Sequence, residues 1–129
     1  MPRNLSDAVV RTAPSEGPVL TKAALRTAER LGVSNKAFAR IVGLSEASVS
    51  RMGSGAYTLA PGDKAFELAV LFVRLFRSLD AIVGSDDGAA RAWLRGRNLA
   101  LGGVPLELIQ DPSGLVRTVD YLDAARARI

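Results

Sequence analysis

Between Asn35 and Met52 the chain reads NKAFARIVGLSEASVSRM, a string that few backbones satisfy. Phe38, Ala39 and Val42 follow one another at helical spacing, Gly43 interrupts them, and Leu44, Val49 and Met52 resume an apolar face. Two short helices crossing near a right angle through a three- or four-residue turn meet these demands. Ala39 is small enough for the second helix to approach, Gly43 tolerates the positive φ of the turn, and the apolar residues meet beneath. Ser45 stands where an N-cap is wanted, with Ser48 three residues on; the Glu or Gln of a full capping box is missing. The pattern predicts a helix-turn-helix with helices over 35–42 and about 46–52, the first capped by Ser34 and the second stopped at Gly53-Ser54-Gly55.

The rest of the 129 residues follows the same helical habit. Hydrophobic residues make up 48%, enough for a packed core, while aromatics reach only 5% and Ala, Leu and Arg predominate. An all-α architecture follows, with no strand required. Cys and His are both absent. That excludes the usual zinc sites, thiol nucleophiles and Ser-His-Asp triads, so neither an enzyme nor a metal or other cofactor is expected. The longest strictly apolar run, Leu68 to Val73, is far too short to span a bilayer. With no apolar signal segment near Met1 and no Cys, a cytoplasmic location is expected. Of the net charge of +4, residues 1–80 hold all: 11 Lys and Arg against 7 Asp and Glu, whereas residues 81–129 hold 6 of each. The basic excess lies with the helix-turn-helix, where a phosphate-facing surface needs it.

Three regions are expected: a flexible tail over 1–18 containing Pro2, Pro14 and Pro18; a DNA-binding and dimerisation region over 19–84; and a second unit over 85–129. A helix from Thr21 to Leu31 ends at Gly32. Pro61 opens a long helix to about Val83. Leu68, Leu71, Phe72, Leu75, Phe76, Leu79 and Ile82 give that helix one apolar face, and Phe66, Ala69, Val70 and Val73 a second beside it. Such a helix must be covered on two sides, by the C-terminal half or by a second copy of the chain. Ser85 or Asp86 caps a helix to about Arg95 that buries Trp93 and Leu94. NLALGGV (98–104) forms a loop, Pro105 starts a short helix, and Ser113 caps a last helix with the stripe Leu115, Val119 and Leu122.

On the second helix of the pair, Arg51 is the best reader of a guanine or phosphate, and Ser45, Ser48 and Ser50 are further candidates. Lys36 and Arg40 on the preceding helix are candidate backbone contacts. The reading surface is thin, which leaves open a module used only for packing or dimerisation.

In the C-terminal half the order is Trp93-Leu94, then Asn98, then Gly102-Gly103 with Pro105, then Gly114 opening the last helix. These residues at these spacings resemble the C-terminal domain of the Xre/MbcA/ParS antitoxin family, over about Ala89 to Leu122. With the upstream helices the resemblance extends over most of the chain from Thr21.

The resemblance implies one half of a bacterial toxin–antitoxin module. The expected partner is a toxin of RES-type fold that consumes NAD⁺, blocked by the C-terminal domain, and the helix-turn-helix would repress the module's own promoter. A homodimer through the central helix and operator DNA complete the expected partners; a membrane is not among them. Candidate toxin-binding residues are Arg117, Tyr121, Arg126, Arg128 and Ile129. Arginine suits pairing with carboxylates in a cleft that holds a pyrophosphate, and residues 123–129 would plug that cleft. Arginines are also expected at a solvated helix end, where they complement the macrodipole. The alternative function is a stand-alone dimeric helix-turn-helix regulator.

Overall fold

The computed structural model describes the backbone from Pro2 to Ile129 and the side chains from Ser15 onward. Among these residues are seven helices: α1 (Pro2–Leu31), α2 (Asn35–Val42), α3 (Glu46–Ser54), α4 (Lys64–Ile82), α5 (Asp87–Arg95), α6 (Pro105–Leu108) and α7 (Pro112–Arg126). There is no strand among them, only an isolated bridge between Asn98 and Gly103. The all-α reading holds. Met1 and the side chains of residues 2–14 lie outside the described residues, and with them most of the expected tail. The helix expected to begin at Thr21 starts earlier, since the backbone is helical from Pro2.

The helix-turn-helix forms from local signals. Ser34 and Ser45 adopt extended backbone and accept from the N–H groups of Ala37 and Ser48, which caps α2 and α3. Gly43 takes φ +72° between the helices, a left-handed conformation that strains any residue with a Cβ. Phe38, Ala39, Val42, Val49 and Met52 are all buried, as the crossing requires. The second helix runs two residues past Met52, through Gly53 and Ser54, and ends on Gly55.

Helix α4 is the element around which the others are arranged: α1, α2, α5 and α7 all contact it. Phe72, Leu75 and Leu79 are fully buried along it, and Val73, Phe76 and Leu68 nearly so. The Phe72 ring meets Phe38 of α2 with centroids 5.6 Å apart and planes tilted 42°. Helix α7 lays its stripe of Leu115, Val119 and Leu122 into the same core. A polar tie accompanies it: the buried Ser78 hydroxyl donates to Asp123 Oδ1 at 2.6 Å, and Arg74 Nη2 lies 2.6 Å from Asp123 Oδ2.

Three local expectations need correction, and one open alternative is decided. Pro61 does not open α4. Pro61-Gly62 forms a turn, closed by the Asp63 N–H on the Ala60 carbonyl at 3.1 Å, and Asp63 takes the N-cap position. The cap of α7 is Asp111, whose Oδ2 accepts from Gly114 N; Pro112 then fills the first helical position, and Ser113 hydrogen-bonds Asp111 Oδ2 at 2.5 Å instead of capping. Of the two candidates before α5, Asp86 is the cap, accepting from Ala89 N at 3.0 Å. Trp93 is only half-buried, because it lies at the edge of the core and stacks on Tyr121 with centroids 6.4 Å apart.

Candidate functional site

On α3 the outward residues are Glu46, Ala47, Ser50 and Arg51, all exposed; on α2, Lys36 and Arg40 are exposed one helical turn apart. Three of the expected DNA-contacting side chains are brought together. The Ser45 hydroxyl donates to Ser48 Oγ at 3.0 Å, and Arg51 Nη2 donates to the same oxygen at 3.1 Å. Ser45 and Ser48 therefore hold the start of α3, and Arg51 folds back over them. Ser50 stands apart on the exposed side. A cation resting on hydroxyls at the N-terminus of an exposed helix is poised to exchange them for a phosphate or a base edge at small cost.

The C-terminal unit presents a different surface. Its loop over 98–104 is closed on itself. Asn98 N donates to the Gly103 carbonyl at 2.8 Å, Gly102 N donates back to the Asn98 carbonyl at 2.9 Å, and the Asn98 side-chain oxygen accepts from Leu101 N at 2.9 Å. From α7, Arg117 Nη2 donates to the Leu101 carbonyl at 3.1 Å. Arg117, expected in a partner's cleft, thus holds the loop, while Tyr121 one turn later supports Trp93. Arg126, Arg128 and Ile129 are exposed beyond Leu122, the last buried residue of the chain. The expected toxin-binding residues therefore fall into two groups, Arg117 with Tyr121 beside the loop and the other three at the end of α7.

The sequence reading missed the residues that join the two units. Arg91 Nε donates to the Arg30 carbonyl at 2.9 Å; Arg95 donates to the carbonyls of Leu31 at 3.1 Å and Gly32 at 2.7 Å. Two arginines of α5 thus satisfy the open C-terminal end of α1, where cations are favoured. Their i, i+4 spacing was the available signal. Arg30 completes the junction, with hydrogen bonds to both Asp87 oxygens at 2.9 and 3.2 Å and a position 4.6 Å from the centroid of the Phe76 ring. Its contact with Asp80, 3.5 Å away, is an ion pair too long for a strong hydrogen bond.

Three carboxyls, those of Asp87, Asp123 and Asp111, are biased toward the charged form. The Arg30 hydrogen bond keeps the Asp87 carboxyl below its ordinary range, and the same bond raises Arg30. Asp123 is lowered first by the Ser78 hydroxyl, then by Arg74, against the opposing effect of burial. Asp111 is lowered by Ser113 and by the Gly114 N–H.

A groove of about 910 Å³ lies where α1, α4 and the end of α7 converge. Its walls are apolar, with Val19, Leu20, Phe66, Val70 and Val73, and its edge carries Arg74, Arg77 and Arg126. Val19 is 68% exposed and Val70 is 43% exposed, so part of the apolar circumference of α4 and α1 stays uncovered. No helix among the described residues is long and apolar enough to cross a membrane.

Two family models match the chain. Residues 10–74 match the antitoxin Xre-like helix-turn-helix domain, and residues 78–128 match the antitoxin Xre/MbcA/ParS C-terminal toxin-binding domain. No curated protein matches it. The first match covers α2, α3 and most of α4, and the second covers the capped loop, the Trp93–Tyr121 stack and α7; the chain belongs to the Xre/MbcA/ParS antitoxins of toxin–antitoxin modules.

Proposed function

We propose that this antitoxin binds and blocks a RES-type, NAD-degrading toxin in the cytoplasm and represses its own operon through the helix-turn-helix. The observation that carries the first part is the end of α7. Arg126, Arg128 and Ile129 project past the last core residue, Leu122, so they are available to enter a partner's cleft without loosening the core. Two guanidinium groups there can pair bidentately with acidic side chains of an enzyme's active-site cleft and so keep its substrate out. In the same reading the chain acts as a homodimer, with Val19, Val70 and Phe66 of the open groove supplying the apolar contact through α4.

Expressing the enzyme encoded beside this chain, alone and with it, tests the proposal. Cellular NAD⁺ is expected to collapse with the enzyme alone and to recover when the antitoxin is present. Removal of Ala124 to Ile129 is expected to abolish that recovery, and full protection by the truncated chain would end the plug. No collapse in either case would leave the helix-turn-helix as the module of a stand-alone regulator.

Operator binding is tested at Arg51. Its Ser48 partner is exchangeable and its side chain is exposed. Arg51→Ala is expected to weaken operator affinity by about 1–3 kcal/mol if the guanidinium reads a base edge. Unchanged affinity in a gel-shift titration would assign the pair of helices to packing alone.

A further inference from the structure

Leu99 is 89% exposed, the most exposed large apolar side chain among the described residues. A single apolar residue on a surface is ordinary and by itself means little. What distinguishes Leu99 is its mounting. It sits at the tip of the 98–104 loop, between Asn98, which bonds across the loop with both backbone and side chain, and Leu101, whose carbonyl is held by Arg117. The loop is thus fastened internally and to α7, and its tip is built as a fixed projection.

A fixed apolar projection is costly in water and well suited to binding. It loses little conformational freedom when it docks, and it removes its whole side-chain surface from water in one contact. Interfaces concentrate their energy in a few side chains set into desolvated pockets, and what an aliphatic side chain contributes there is the apolar area it removes from water. The charge beside it is cationic: the exposed Arg97 lies two residues before Leu99, and Arg117 abuts the loop. The loop lies within the stretch that matches the toxin-binding domain.

We propose that Leu99 is the apolar anchor of the toxin interface, seated in an apolar socket whose rim carries carboxylates that face Arg97. This rests on the antitoxin reading above and adds a second contact to it. Arg117, which positions the loop, and Arg126, in the terminal plug, are nine residues apart on α7, roughly 14 Å along a helix. The toxin is therefore gripped at two points along α7: the loop beside its middle anchors, and the C-terminus blocks. The two functions separate because the anchor contributes affinity while the tail occupies the cleft.

The test uses the full-length antitoxin and the purified enzyme encoded beside it, with Kd measured by calorimetry and residual NAD⁺ consumption measured at saturating antitoxin. Leu99→Ser is expected to raise Kd by about tenfold or more, with inhibition still complete at saturation. Leu99→Met, which keeps an apolar tip of similar volume, is expected to stay near the parent value. Circular dichroism and operator binding check that both variants are folded. Equal Kd for Leu99→Ser and the parent chain overturns the anchor while leaving the antitoxin reading in place. An equal loss in both variants also overturns it, because apolar character would then not be what binds. A parent chain that fails to bind the enzyme overturns both readings together.

Discussion

Replacing Gly114 with alanine is expected to destabilise the C-terminal unit by about 3 kcal/mol or more, the upper end of what overpacking costs. Gly114 lies in the first turn of α7, pressed against the end of α6. A Cβ there would fall on the carbonyl oxygen of Leu108 and lie 2.8 Å from its carbonyl carbon. Both are backbone atoms, so no rotamer change relieves the collision. The first turn must move, and with it the Asp111 cap, which bonds Gly114 N, and the buried Thr118, whose hydroxyl donates to the Gly114 carbonyl at 2.8 Å. Gly53→Ala is the matched control. An added methyl at that position in α3 would have nothing within 4 Å, and a helical alanine is favoured over glycine. Thermal melts should show a large drop for Gly114→Ala and none for Gly53→Ala. A Gly114→Ala chain that melts with the parent would show that α6 and α7 can separate without loss.

Phe72→Ala is expected to cost about 3–5 kcal/mol, a large share of the stability of a domain this size. Phe72 is fully buried and its ring meets the buried Phe38. Truncation removes the ring and leaves Phe38 facing a void that neither α2 nor α4 can collapse to fill. The melting temperature should fall by roughly 10–20 °C. Because Phe38 sits in the first helix of the pair, operator binding should weaken even below the melt. A loss below about 1 kcal/mol, far under the usual cost of such a deletion, would mean that α2 is held to α4 by other contacts.

Helix-turn-helix boundaries were legible in the sequence because their determinants are local: Ser34, Ser45 and Gly43 act within a few residues of themselves. The same is true of the stripe Leu115, Val119 and Leu122. Where a helix could start at any of several adjacent residues, the sequence was ambiguous. Pro61 reads as the opening of α4, but it closes a turn with Gly62 and leaves the cap to Asp63; Ser113 reads as the cap of α7, but Asp111 two residues earlier takes it. What stayed hidden depended on distant partners. Arg91 and Arg95 have no visible role until the end of α1 is placed beside them, and Arg30 acquires its role only from Asp87, fifty-seven residues away. Leu99 stood in plain view within the loop, but its exposure is a property of the folded chain alone.

The sharing of α4 has a consequence for how the molecule is lost. The helix-turn-helix rests on Phe72 and Leu68, and α7 rests on the same helix through its core stripe and the Ser78–Asp123 bond. Both halves lean on one helix, so a force that unravels α4 removes the floor of both at once. Units that share a core element open together. Loss of α4 is then expected to be a single event, in which the helix-turn-helix and the toxin-binding domain come apart in the same step.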